Sequence, residues 1–264
     1  MDYLQFGYDL LTQNPNKNIV AGTVDGRRVW VKKASPSKKT FWHVLQGVIS
    51  KLVHQPILTP TVIDGAAQAF IAEIQKMRSF REKGISVPEI HAANDTIMVM
   101  SDLGECLEHL LNQNKEPVYQ KEILEKAITA LANLHKKGLV HGKPYVRDMT
   151  LVNNEIGFLD LEENPQHFMS LAQAQARDVW LFLSFVAKYA RNPQNKYNYS
   201  SALIQDLYNL YKSLAAPDTL AELHKFVVFL KPIGVLLRGK PFWRLIGSDA
   251  RRAVFSTLAM CKFD

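Results

Sequence analysis

The side chains best suited to chemistry gather in one stretch, His141 to Glu163, which reads HGKPYVRDMTLVNNEIGFLDLEE. It holds an imidazole (His141), a lysine (Lys143) and two carboxylates, Asp148 and Asp160, twelve residues apart. Carboxylate oxygens suit a hard cation such as Mg²⁺. A charged lysine cannot accept a proton, but it can stabilise developing negative charge.

The elements that must position these groups can be read from the same letters. Two short apolar runs, Met149–Val152 and Ile156–Leu159, flank Asn153-Asn154-Glu155. Asparagine tolerates left-handed turn conformations, so the pattern predicts a hairpin whose second strand delivers Asp160. Upstream, Tyr119 to Lys137 carries Ile123, Leu124, Ala127, Leu131 and Leu134 at helical spacing, and Gly138 ends the helix.

Earlier in the chain, Ile19–Val24 and Arg27–Lys32 read as strands joined at Asp25-Gly26, a strong hairpin signal. Alternation sends Val29 and Val31 to one face, and Arg28, Trp30 and Lys32 to the other. Residues 3–13 show apolar spacing too mixed to assign. Residues 38–54 and 66–83 read as amphipathic helices. In the second, Glu73 lies on or beside the apolar stripe, and a carboxylate there wants a cation; Lys32 is the candidate. Val87–Ile90 and Thr96–Met100 read as strands, and Ser101-Asp102-Leu103-Gly104 as a connector. Residues 172–189, 201–214 and 219–231 read as helices. Strands lead the first hundred or so residues and helices the rest, which implies an α+β lobe followed by a helical lobe.

Composition excludes some classes. The chain has 264 residues, 47% hydrophobic and 22% charged, an ordinary folded composition. Its net charge of +7 suits an anionic partner such as nucleotide phosphates, nucleic acid or a membrane surface, or serves solubility alone. Two cysteines, Cys106 and Cys261, make neither a metal motif nor a disulfide framework. The first residues lack the basic n-region and apolar core of a signal peptide. No apolar run reaches the ~18 residues of a membrane span. The expectation is a cytoplasmic protein, peripheral to the inner membrane if its basic segments bind lipid. Those segments are 38–54 and 225–252; the second carries seven Lys/Arg and one acid, Asp249, interleaved with Phe, Trp and Leu.

Taken in order, V-x-V-K ending at Lys32, the helix with Glu73, the S-D-L-G connector at Asp102, L-H-x-x-G before H-G, and F-L-D at Asp160 resemble the protein-kinase-like superfamily. Arg177-Asp178 resembles the aspartate that anchors the catalytic loop from a later helix. The set looks closest to the bacterial lipopolysaccharide-kinase-like branch, which includes Kdo and heptose kinases. The resemblance implies a two-lobed fold, with an N-lobe over 1–102 and a C-lobe over 103–264. It implies ATP and Mg²⁺ as cofactors. Lys32 would hold the α/β phosphates, Glu73 would orient Lys32, and Gly22 and Asp102 would complete the cofactor-binding set, although the Gly-rich loop is otherwise absent. Asp160 would bind Mg²⁺.

Two registers compete for the catalytic loop. In one, His141-Gly142-Lys143 aligns with the H-G-D triplet, Lys143 replaces the catalytic aspartate, and Asp148 falls on the metal-binding asparagine. In the other, Arg147-Asp148 supplies the R-D and Asn153 the asparagine. A hairpin must fit between the loop's metal ligand and Asp160. Asn153 leaves only seven residues, Asp148 twelve, so the first register is preferred. Candidate catalytic residues are then Asp148, Lys143 and His141, the last read as a loop anchor rather than a base. Asp148 and Asp160 are the candidate metal ligands.

Three functions remain open. The first is an ATP-dependent phosphotransferase acting on a hydroxyl of an envelope-associated, lipopolysaccharide-like acceptor. The second is a nucleotide-binding pseudokinase, because lysine stands where the base belongs. The third is a basic nucleic-acid-associated protein, which ranks last because the chain carries no recognisable reading module.

Overall fold

The structure is a computed structural model that describes residues 2–35, 56–59, 65–192, 194–195, 197–239 and 241–261. The helix expected over 38–54 lies outside the described residues.

The chain opens with α1 (Tyr3–Thr12), the stretch whose apolar spacing gave no assignment. The cue was its cap: the Asp2 carboxylate accepts from the amides of Leu4 and Gln5 at 2.9 and 3.3 Å, satisfying donors that a helix start leaves unpaired. Strands β1 (Ile19–Val24) and β2 (Arg27–Lys33) follow, joined at Asp25 and Gly26, both at positive φ. With β3 (Ile90–Ala93) and β4 (Ile97–Ser101) they form an antiparallel sheet in the order β1-β2-β4-β3. Alternation sorts its faces as the sequence implied. Val29 and Val31 join Ile97, Val99 and Leu11 in a small core under α1. Lys32, on the opposite face, pairs with Met98, which is buried in the main core.

Helix α2 (Ala66–Glu82) packs Phe70, Ile74, Met77 and Phe80 into that main core. The helical region then runs through α3 (Leu107–Gln113), α4 (Pro117–Lys136), α5 (Leu171–Val186), α6 (Ala202–Leu214), α7 (Pro217–Arg238), α8 (Phe242–Leu245) and α9 (Ser248–Met260). Helix α7 continues past the end expected at 231, through Pro232. Between α4 and α5 sits the hairpin β5 (Met149–Val152) and β6 (Glu155–Phe158). The fold is thus mixed α+β, a small antiparallel sheet lobe and a larger helical region, as a kinase-like fold requires. One continuous apolar core, from Phe70 and Met98 to Leu131, Val179 and Phe226, joins the two, so the lobes share an interior.

Candidate functional site

The β5–β6 hairpin turns on Asn153 and Asn154, at φ +50° and +67°. Two central residues with positive φ make the turn that matches the twist of paired strands. Asn153 therefore sits exposed at the hairpin tip, where it cannot serve a site at the hairpin base. The other end of the hairpin does the positioning. The amide of Leu159 donates to the carbonyl of Asp148 at 2.8 Å, so the segments bearing Asp148 and Asp160 lie side by side. Asp160 itself holds φ +56°, a left-handed conformation that a non-glycine residue seldom adopts outside turns and functional sites.

Lys32 reaches this wall from β2. Its Nζ lies 2.7 Å from Glu73 Oε1 and 3.4 Å from Asp160 Oδ1. Burial pulls the ammonium down, but the charges of Glu73 and Asp160 and the hydrogen bond to Glu73 outweigh it and push it up to about 12. Lys32 is thus a fixed cation between the α2 carboxylate and the residue that ends the hairpin. Glu73 is buried at 3% exposure, so α2 must stay docked for the pair to exist.

Asp148 is also buried. Burial first, then the charge of Asp160, pushes its carboxyl up to about 7, against smaller opposing effects of Arg147 and Lys143. Mg²⁺ is bound through one or two carboxylates plus substrate phosphates, and two mutually repelling carboxylates on adjacent segments fit that ion. Among the described residues no group of three or more His, Cys, Asp or Glu side chains could hold a metal by itself, so phosphate oxygens would have to complete the coordination.

Lys143 is no idle loop lysine. Its Nζ stands 3.8 Å from Glu163 Oε1 and 4.9 Å from the centre of the Tyr145 ring, and its charge acts on both Asp148 and Glu162. Glu162, which stands outside the candidate site residues, is an acid beside Asp160; burial and then that neighbouring charge raise its pKa.

His141 is fully buried. Its ring packs against Phe158, with centroids 5.7 Å apart, and burial lowers the imidazole to about 4. A neutral, enclosed ring anchors the loop. The anchor is completed from α5: Asp178 accepts from the amides of His141 and Gly142 at 2.7 and 2.9 Å, and Arg177 Nη1 donates to the carbonyl of Gly142 at 3.0 Å.

The remaining two candidates have structural duties. A Cβ on Gly22 would meet the Phe6 ring at 2.7 Å and Leu10 at 2.9 Å, so this glycine lets α1 lie close on the sheet. The Asp102 carboxylate accepts from Trp30 Nε1 at 2.7 Å, tying the connector to β2. Lys76 went unnoticed in the sequence. It is half-buried on α2, and its Nζ donates to the carbonyls of His141 and Glu163 at 2.7 and 2.6 Å.

With this geometry in place, comparison with known families is decisive. The RIO domain family matches residues 64–198, just over half of the chain. The chain belongs to the RIO domain family. That family is atypical and protein-kinase-like, so the chain is kinase-like with an ATP-binding fold. The match confirms the kinase-like class but does not reach the finer resemblance to the lipopolysaccharide-kinase branch. The match begins after Lys32, so the place of that lysine in the RIO site rests on its contacts with Glu73 and Asp160. The chain is also similar to an uncharacterized protein of Haemophilus influenzae, 26% identical over 162 residues, which are 61% of this chain and 60% of that protein.

Proposed function

We propose that this RIO-domain protein binds Mg-ATP in the cleft between the sheet and the helical region. The observation that carries the reading is the Lys32–Glu73–Asp160 constellation. Lys32 would neutralise nucleotide phosphates, Glu73 would keep it extended, and Asp148 and Asp160 would hold Mg²⁺. Bound Mg²⁺ would offset charge on the phosphates during transfer. The lobes are taken as 1–102 and 103–264, with the connector at Asp102 between them.

The reaction we assign is transfer of a phosphoryl group to a hydroxyl. Such transfer depends mainly on positioning and electrostatics, so Lys143 can contribute charge stabilisation while a carboxylate or water takes the hydroxyl proton. The resemblance to Kdo and heptose kinases supports an envelope-associated sugar as acceptor. A second reading, a nucleotide-binding pseudokinase, is supported by the preferred register, which puts Lys143 at the base position, and by the contacts of its ammonium with Glu163 and Tyr145.

Thermal unfolding with and without Mg-ATP tests the site. A ligand at a hundred times its Kd adds ~2.7 kcal/mol to stability. The wild type should gain a stabilisation that Lys32→Met and Asp160→Asn each lose. No gain in the wild type would refute both readings. A gain without phosphate release or transfer would favour the pseudokinase.

A further inference from the structure

Helix α7 is apolar on more sides than its packing uses. Leu223, Phe226, Val227 and Gly234 are buried. Gly234 sets the contact with α9: a Cβ there would meet Leu258 at 3.3 Å. That close approach fixes which side of α7 faces outward. The outward side is not polar. Among the described residues, six of the twelve exposed large hydrophobic side chains fall within 228–245: Val228, Ile233, Val235, Leu236, Phe242 and Leu245. Leu236 and Leu245 are 64% and 76% exposed. Half of such residues in so short a segment is a patch, and patches of this kind mark interaction sites.

Cations are interleaved with the patch. Val228, Lys231, Val235 and Arg238 follow one another at steps of three, four and three residues, which puts them on one helical stripe. Arg244 lies between Phe242 and Leu245. The one acid of 225–252, Asp249, is paired with Arg252. Lys225 is paired with Glu222 at 2.7 Å. Among the described residues no carboxylate lies in ion-pair range of Lys231, Arg238 or Arg244. Beside the stripe, Lys231, Val235, Arg238, Leu258 and Cys261 line a hollow of about 460 Å³, so that its lining joins apolar and cationic side chains. Among the described residues no helix is long and apolar enough to cross a membrane.

We propose that the second half of α7, with α8, lies in the plane of an anionic phospholipid surface. Leu236, Val235, Phe242 and Leu245 enter the boundary between headgroups and acyl chains. Lys231, Arg238 and Arg244 meet the lipid phosphates. Interfacial helices combine these two features, and each basic side chain near the surface adds attraction to anionic lipid. The charge complement decides the occupant: a second copy of this surface would bring cations against cations. The proposal is independent of nucleotide binding.

The test is co-sedimentation of the full chain with extruded vesicles of phosphatidylcholine, with and without phosphatidylglycerol. The wild type should partition onto phosphatidylglycerol-containing vesicles at least about ten-fold more strongly than onto phosphatidylcholine alone. Val235→Ser/Leu236→Ser and Lys231→Glu/Arg238→Glu should each lose most of that binding. All four side chains are partly or fully solvent-facing, so thermal melts of both variants should match the wild type and show that they fold. Absence of binding, equal binding to both vesicle types, or binding that survives either double substitution would overturn the proposal. So would competition by duplex DNA that is unaffected by Val235→Ser/Leu236→Ser, which would indicate a polyanion site. A wild-type dimer by analytical ultracentrifugation that this same variant dissolves would assign the patch to self-association instead.

Discussion

The ammonium of half-buried Lys76 donates to the main-chain oxygen of His141 at 2.7 Å, and to that of Glu163 at 2.6 Å. One side chain from α2 therefore clasps both the start of the candidate catalytic loop and the segment just beyond Asp160. Glu73, one helical turn earlier on α2, carries the partner of Lys32. Docking of α2 and order in the loop are coupled through this clasp.

The clasp has a pH signature. Burial is the main cause that lowers Lys76 from its ordinary 10.5 to about 8. Below pH 8 the group is protonated in folded and unfolded chains alike. Between pH 8 and 10.5 the unfolded chain holds a proton that the folded chain has lost, so raising the pH favours folding. The gain approaches ~3 kcal/mol at about 1.36 kcal/mol per unit. Urea titrations across this range should show it as a rising difference between the wild type and Lys76→Met. The variant should also be destabilised at pH 7, because the carbonyl of buried His141 loses its donor at roughly 1–3 kcal/mol, and that of half-buried Glu163 loses one too. A constant difference between the two proteins would remove the titration from Lys76.

Asp148 gives the opposite slope. Its folded value is raised to about 7 from an ordinary 3.8. Between those values the folded chain holds the extra proton, and stability is lost as pH rises through 7. Asp148→Asn should therefore be roughly 2–4 kcal/mol more stable than the wild type at pH 8, and no more stable at pH 4. This is the gain expected when a site holds a repulsive pair for function. Mg-ATP should stabilise the wild type but not Asp148→Ala, which removes the metal-binding oxygen, whereas Asp148→Asn, with the residue the preferred register expects there, should keep part of the shift. Calorimetry in buffers of different ionisation enthalpy should show proton release on binding near pH 7. Equal Mg-ATP stabilisation of the wild type and Asp148→Ala would remove Asp148 from the metal site.

Gly142 holds φ +101°, and a Cβ there would lie 2.7 Å from the carbonyl oxygen of Glu163. Gly138 also has positive φ, +69°, but open space around it. Gly138→Ala should cost only the left-handed penalty, ~1–2 kcal/mol. Gly142→Ala adds a clash with backbone that cannot swing away, and should cost roughly 1–3 kcal/mol more. It should also weaken the response to Mg-ATP, since Glu163 is three residues from Asp160. Equal costs at the two glycines would mean that the loop relaxes freely.

What could be read from the sequence was local. The Asn153-Asn154 turn, the alternation that separates Lys32 from Val31, and the count from Asp148 to Asp160 depend on neighbours in the chain. Positive φ at both asparagines and the 2.7 Å Lys32–Glu73 pair follow from them. Helix α1 was illegible because Gly7, which reads as a helix breaker, stands within the apolar face of Phe6, Leu10 and Leu11, where it lets the helix lie close on Ile97 and Val99. Lys76 was illegible for a different reason. A lysine on a helix reads as a solvated face, and the carbonyls that bury this one come from positions 65 and 87 residues away. No window of sequence holds all three.

Lys143 offers the sharpest test of what the site does. Its ammonium is held 3.8 Å from Glu163 Oε1 and over the Tyr145 ring at 4.9 Å, with the side chain 33% exposed beside the carboxylates. If it stabilises transferring charge, Lys143→Met should keep Mg-ATP binding and lower phosphoryl transfer by about 10²-fold or more, the scale of losing one preorganised donor. If it instead blocks the base position, Lys143→Asp should raise transfer or hydrolysis above the wild-type level, because a carboxylate there can take a hydroxyl proton. Single-turnover assays with labelled ATP separate the two, provided both variants retain the Mg-ATP shift in thermal unfolding. Lower transfer in both variants would establish the lysine as part of the working machinery. Unchanged transfer in both would put the proton acceptor and the charge stabiliser elsewhere, with Asp148 and Glu162 as the remaining acids beside Asp160.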